Sequence, residues 1–140
     1  MIRFSSRVKY GLQFMLFLCI DDEGFTGIQR AALSCDIPQK FLEAIAVDLK
    51  KNGLLEVKRG AGGGYRLAKP EYEITLEQIV DSLEATETKP DKKSGDLIYN
   101  VCDQLFENTV DEFRSVMSRI TLDKVHRKYS DSADKLMYYI

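Results

Sequence analysis

The sequence predicts a mainly α-helical fold carrying one small β-hairpin, with a long helix after it that is suited to pairing with a second copy. Three observations predict this. Apolar residues recur every three or four positions through much of the chain. A glycine-rich turn, Gly60-Ala61-Gly62-Gly63-Gly64, separates two short β-prone segments. A single apolar seam is sustained from Ile98 to Ile120.

Ser5 or Ser6 can cap a first helix running to about Ile20, because a serine oxygen accepts from the free N–H groups of the first turn. Val8, Leu12, Met15 or Leu16, and Cys19 give that helix one apolar face, and Asp21-Asp22-Glu23-Gly24 ends it. A short helix follows from about Ile28 to Ser34. Cys35-Asp36-Ile37 makes a tight connection, and Pro38 suits the first turn of a third helix, where its missing N–H costs nothing. That helix runs to Asn52 with Phe41, Leu42, Ile45 and Leu49 inward, and Asn52-Gly53 stops it. Residues 55–59 and 65–67 flank the glycine turn as a hairpin. Pro70 breaks the chain, and Thr75 caps a helix from Leu76 to Leu83 with Ile79, Val80 and Leu83 inward.

Residues 85–95 are polar, contain Pro90, and read as a linker. From about Asp96 to Arg119 a long helix is expected, with Ile98, Cys102, Leu105, Thr109, Phe113, Val116 and Ile120 along one seam. At 1.5 Å per residue it would be roughly 36 Å long, too long for a small domain to bury alone, so Ile98, Cys102, Leu105, Phe113, Val116 and Ile120 are expected at a homodimer interface. Thr121 caps a last short helix. The expected organisation is 1–84 as the N-terminal domain, 85–95 as linker, 96–129 as the pairing helix with its short successor, and 130–140 as a tail.

The 140 residues and 44% apolar content fit an ordinary folded chain. The net charge of −2 conceals an asymmetry: residues 1–69 carry +4 and residues 70–140 carry −6. A basic half joined to an acidic half fits a module that binds a polyanion and a second part that avoids it. The longest near-apolar run, Gly11 to Ile20, is about half of what crosses a bilayer. Arg3, Arg7 and Lys9 before that run imitate a short lipoprotein signal, but Leu18 precedes Cys19 where cleavage wants a small side chain. A cytoplasmic location without membrane contact is expected, and there three cysteines do not imply disulfides. One histidine and no nucleophile–base motif leave little for catalysis, so no enzyme is expected.

Helix, helix, tight turn, helix, hairpin is the order of a winged helix-turn-helix, which points to double-stranded DNA. An α-helix fits the major groove, where base edges carry a unique donor and acceptor code. Gln39, Lys40 and Glu43 lie at the N-terminal end of the third helix, away from Leu42, Ile45 and Leu49, where such a helix reaches base edges. The alternative is a solvated polar face. Arg59 stands beside a turn almost free of side chains. There, Gly60 and Gly62 let backbone N–H groups approach phosphate, and the arginine can enter a narrow minor groove. The alternative is an ordinary flexible turn; a nucleotide-phosphate loop fails because no Lys-Ser/Thr follows and the turn joins two strands. Arg7, Lys9 and Tyr10 can anchor phosphates, though Tyr10 suits a core position equally.

Ser6-Arg7-Val8-Lys9-Tyr10-Gly11-Leu12, Phe41-Leu42-Glu43, Leu49-Lys50-Lys51-Asn52-Gly53-Leu54, residues 59–67 and Ile120-Thr121-Leu122 together resemble the Rrf2 (IscR/NsrR/CymR-type) family of bacterial regulators over roughly residues 3–125. The resemblance implies a homodimer, a long helix that crosses to the partner, and binding to a palindromic operator. Many members of that family hold an iron–sulfur cluster through three cysteines before the long helix. Here residues 83–108 contain only Cys102, while Cys19 and Cys35 lie far away in sequence, so no cluster is expected. His126 is the single histidine, so a classical zinc site is not expected and the cofactor expectation is none.

Cluster-free members that control cysteine metabolism end in a similar Met-aromatic-Tyr-Ile. The resemblance implies that Tyr139 and Ile140 can enter the active site of cysteine synthase; packing of the tail on the dimer is the alternative. The leading expectation is therefore a cluster-free dimeric repressor of cysteine or sulfur genes. Its competitors are a redox-sensing regulator acting through Cys35 or Cys102, and a winged-helix protein-interaction module that binds no DNA.

Overall fold

The computed structural model describes residues 2–21, 24–84 and 95–138. The linker expected at 85–95 falls almost wholly outside these residues, as do Tyr139 and Ile140 of the tail. The order is α1 (Ser6–Ile20), α2 (Ile28–Cys35), α3 (Gln39–Lys51), β1 (Leu55–Lys58), β2 (Gly64–Leu67), a one-turn 3-10 helix (Glu71–Glu73), α4 (Leu76–Leu83), α5 (Leu97–Ser118) and α6 (Leu122–Tyr138).

Local chemistry sets the ends of these elements. Val8 N–H donates to the Ser5 hydroxyl at 3.2 Å, so Ser5 is the cap of α1. Asp36 adopts the left-handed conformation (φ 54°, ψ 49°) just after α2, and Ile37 N–H returns to Ala32 at 3.0 Å. Asp tolerates that region better than most residues, so the turn between α2 and α3 is tight. Pro38 stands one position before α3 as its cap rather than in its first turn, and Leu42 N–H donates to its carbonyl at 3.0 Å. Thr75 and Gln78 cap α4 reciprocally, each side chain accepting from the other's backbone N–H.

The N-terminal core forms where α1 meets α2, α3 and α4. Phe14, Met15, Leu42, Ile45, Leu49, Ile74 and Ile79 are fully buried there. The inward stripe of α1 is Val8, Gly11, Phe14, Met15, Leu18 and Cys19, with Leu12 and Leu16 only half-buried. In α3, Ala46 takes the inward place expected of Phe41. Phe41 is 43% exposed, because its position falls at the margin of the helix face; its ring meets Tyr10 edge-on at 5.5 Å.

The hairpin pairs Leu55 with Leu67 and Lys58 with Gly64. Thr26, in the segment between α1 and α2, adds a bridge to Tyr65 through two hydrogen bonds of 2.8 Å. That segment is held in turn by Asp21, which accepts from the Thr26 hydroxyl at 2.6 Å and from Arg30 through both carboxylate oxygens. A second bridge ties Thr75 to Thr121: Leu76 N–H donates to Ile120 and Leu122 N–H to Ile74, each at 2.8 Å. The junction of α5 and α6 is thereby fastened to the start of α4.

Two expectations about the C-terminal part change. The last helix is not short; it runs to Tyr138, because nothing after Thr121 is a glycine or proline that would stop it. Most of the expected 130–140 tail is thus helical. On α5 only Met117 is buried, whereas Leu97, Ile98, Val101, Leu105, Phe106, Val110, Phe113 and Val116 are exposed, Leu97 and Ile98 by 75% each. Among the described residues no helix is long and apolar enough to cross a membrane.

Candidate nucleic-acid interface

Helix α3 is aimed by its N-terminal end and by its buried face. The Asp36 turn and the Pro38 cap fix where it begins, and buried Leu42, Ile45 and Leu49 fix which side faces the core. Gln39, Lys40 and Glu43 are exposed, as predicted, and Gln39 donates to Glu43 across one turn at 3.1 Å. Ala44 and Val47 are exposed on the same outward side. Neither residue is among those the sequence points to, because apolar residues read as core. The available clue was their spacing: Lys40, Glu43, Ala44, Val47 and Lys51 recur at three and four. Methyl groups there offer contacts for a thymine methyl, and the polar side chains offer donors and acceptors for base edges.

The hairpin carries Arg59 at an exposed tip. Gly60 and Gly62 have φ of 92° and 71°, a region unfavourable to residues with a Cβ, and Gly63 N–H closes the turn on Gly60 at 3.0 Å. Gly64 answers to a different constraint. A Cβ there would lie 2.1 Å from the Thr26 carbonyl oxygen, so only glycine permits the bridge that seats the hairpin on the rest of the domain. Arg66 stacks over Phe25 at 4.4 Å and pairs with Glu56 at 2.8 Å, which stiffens the hairpin from its side.

The start of α1 departs from expectation. Arg7, about one-third exposed, is already engaged within the chain: its guanidinium pairs with Asp48 of α3 and donates to the Leu83 carbonyl at 3.1 Å. It braces α1, α3 and α4 rather than standing open for phosphate. Tyr10 is half-buried against Phe41. Lys9 remains exposed. Among the described residues Lys9, Lys40, Lys50, Lys51 and Arg59 make no ion pair. In the acidic half, Arg114 is held by Asp81 through two hydrogen bonds of 2.7 and 2.9 Å. Exposed cations without an acidic partner thus stand on α3 and at the hairpin tip, as a polyanion surface needs, although among the described residues cations of α6 such as Lys128 and Lys135 make no ion pair either.

On the expected pairing helix, Ile98, Cys102, Leu105, Phe113 and Val116 are exposed. Ile120 is different. It is half-buried, and its carbonyl belongs to the bridge with Leu76, so it serves the α5–α6 junction.

The three cysteines are unequal. Cys19 is buried, Cys35 intermediate and Cys102 exposed. Burial pushes the Cys35 thiol above its ordinary range, the reverse of what a reactive thiolate requires. The fold also assembles something that linear spacing could not reveal. Cys19 of α1, Glu71 of the 3-10 turn and His126 of α6 bring one ligand atom each within 4.8 Å of one another. His126 Nδ1 lies 2.7 Å from Glu71 Oε1.

Comparison with known proteins agrees with this architecture. Residues 4–128 match the family described as "Rrf2: Iron-dependent Transcriptional regulator". The chain is 34% identical over 84 residues to the transcriptional regulator NsrR of Geobacillus kaustophilus, covering 59% of this chain and 57% of that one. It resembles the structure of IscR from T. potens (TM-score 0.76, 25% identity, 94% of this chain and 90% of that one). It also resembles CymR, the global cysteine regulator of B. subtilis (TM-score 0.72, 26% identity, 91% and 98%). The chain spans a little over half the length of the first curated relatives it matches.

Many regulators of this kind hold an iron–sulfur cluster, and the residues here do not fit one. A cluster needs several thiolates in one place, and among the described residues the one group of close thiol, imidazole and carboxylate ligands contains a single cysteine. All three cysteines of the chain are among those residues. A match covering most of the chain, joined to the same fold in IscR and CymR, establishes the kinship: the chain belongs to the Rrf2 family of transcriptional regulators.

Proposed function

We propose that this chain is a homodimeric, sequence-specific DNA-binding transcriptional regulator, a repressor, which works without an iron–sulfur cluster. The observation that carries the reading is the exposed set of Lys40, Glu43 and Gln39 on α3, with Arg59 at the hairpin tip, in a half of the chain where several cations have no acidic partner. In this reading α3 lies in the major groove, with Gln39, Lys40 and Glu43 at base edges and Ala44 and Val47 against methyl groups. Arg59, Gly60 and Gly62 approach the adjacent backbone or minor groove, and Lys9 contacts phosphate. Arg7 and Tyr10 support these elements from behind.

The second copy comes from α5. Its exposed apolar stripe is the kind of surface that isolated chains seldom present and that paired helices cover. Two-fold pairing would set two α3 helices about one DNA turn apart, on a palindromic operator.

Selection from random duplexes by the purified full-length protein tests this reading. The expected product is a palindrome whose binding falls steeply with salt, as counterion release requires. Failure to enrich any duplex would leave a winged-helix module that binds protein instead.

The likeness to CymR favours genes of cysteine or sulfur metabolism as targets. Leu136, Met137 and Tyr138 are exposed at the end of α6, Tyr138 by 88%, which favours a tail open to a partner such as cysteine synthase. Removal of Tyr139-Ile140 should abolish binding to that enzyme while operator binding stays intact; an unchanged enzyme affinity rules the partner out.

A further inference from the structure

We propose that Cys19, Glu71 and His126 form a binding site for a single exchangeable Zn2+ ion, clamping α6 to α1 and to the turn that follows the hairpin. This site is separate from any iron–sulfur centre: it has a single thiol and draws on three segments far apart in sequence.

The donor set suits the ion. One thiolate, one imidazole and one carboxylate are the three ligand types that zinc takes, and a three-residue set leaves a fourth position for water. With the thiolate and carboxylate each carrying −1 and the imidazole neutral, the protein charge balances the dication. A tetrahedral ion needs ligand atoms roughly 3.3–3.6 Å apart, given zinc bonds of about 2.0–2.3 Å. The three atoms already lie within 4.8 Å of each other. The 2.7 Å Glu71–His126 pair has only to open by about 0.6 Å to admit zinc bonds of that length.

Access and chemistry follow from burial. The Glu71 and His126 side chains are about one-third exposed, at 32% and 30%, and give the ion its entry path, while Cys19 closes the inner side. Without the ion, the Cys19 thiol donates to the Met15 carbonyl at 3.3 Å, and burial together with Glu71 keeps it protonated. A bound dication inverts that preference: the Cys19 S–H bond gives way to a sulfur–zinc bond, and one proton leaves to solvent for each ion taken up. Affinity therefore falls as pH falls. Three protein ligands and one water make a site that loads and unloads, rather than the closed four-ligand set of a permanent structural zinc.

Position gives the site its consequence. Cys19 lies at the last turn of α1, Glu71 four residues after β2, and His126 on the first turns of α6. Occupancy therefore fixes the C-terminal helix to the reading module and stabilises the folded chain by mass action.

The test uses the full-length protein with Co2+ as a spectroscopic probe and Zn2+ in competition with a chromophoric chelator. One ion per chain is expected, with a sulfur-to-cobalt charge-transfer band that Zn2+ bleaches, and a melting temperature that rises with Zn2+. Cys19→Ser should remove the band. His126→Gln, a substitution on a partly exposed side chain, should keep the fold by circular dichroism and weaken Zn2+ by at least about tenfold. Cys35→Ser and Cys102→Ser should change neither. Absence of ion uptake at micromolar Zn2+, a cobalt spectrum without the thiolate band, or His126→Gln binding as tightly as the parent overturns the site.

Discussion

Helices α1 and α5 carry the same kind of apolar periodicity and meet opposite fates. In α1 the stripe of Val8, Phe14, Met15 and Leu18 is buried among α2, α3 and α4. In α5 Ile98, Leu105, Phe113 and Val116 lie along an equally regular seam and stay exposed. A hydrophobic pattern thus marks a surface to be covered but not what covers it. The first helix finds its partners in α2, α3, α4 and the start of α6; the second, longer than the domain beside it can cover, keeps its stripe exposed among the described residues.

Charging the open stripe should have the greatest effect. Leu105→Asp with Phe113→Asp should convert a dimer to monomers in sedimentation, with dimer affinity down by about a hundredfold or more, since each central apolar anchor of an interface is worth about 2 kcal/mol. The N-terminal module should remain folded. A dimer that persists would place the interface elsewhere.

The buried stripe answers to stability instead. Phe14→Ala, at a site with no exposure, should cost about 3–5 kcal/mol in denaturant unfolding, because a large cavity opens among α1, α3 and the Tyr65 ring. An effect under 1 kcal/mol would mean that the core collapses to fill it.

Between these lies the hairpin. Gly64→Ala should lower operator affinity and local hydrogen-exchange protection together, because the bridge to Thr26 cannot form around a Cβ. Arg59→Ala should instead reduce operator affinity by about tenfold while leaving the melting temperature within a degree or two. If Arg59→Ala binds as well as the parent, the tip has no part in binding.

The smallest effect concerns Asp21, whose carboxyl is held below its ordinary range by hydrogen bonds from Thr26 and Arg30. A depressed folded-state value contributes stability above the unfolded value of about 3.9 and loses it as pH falls through the folded value. Asp21→Asn should therefore lower stability modestly at neutral pH, leave it little changed below the folded value, and so flatten the fall in stability below about pH 4. An unchanged acid limb would mean that the Thr26–Arg30 contacts are not linked to folding.

Much of this was legible in the chain itself. Ser5, Pro38, Asn52-Gly53 and Thr75 mark helix ends through local hydrogen bonding, and such marks act over a few residues. The hairpin was legible for the same reason. What escaped depended on distant segments. Arg7 reads as an open cation until Asp48 and the Leu83 carbonyl meet it. Phe41 reads as core until Ala46 takes the inward place. Cys19, Glu71 and His126 are separated by tens of residues, and no spacing rule joins them before the fold does.

The bridge between Thr75 and Thr121 carries one further consequence. Its two 2.8 Å hydrogen bonds weld the elbow of α5 and α6 to the root of α4, and α4 packs on α1 and α3. In a dimer joined through α5, any change in the crossing angle of the two long helices is geared through that weld into the separation of the two α3 helices. The protein would then behave as a pair of calipers, measuring its DNA by the angle at which its arms are crossed.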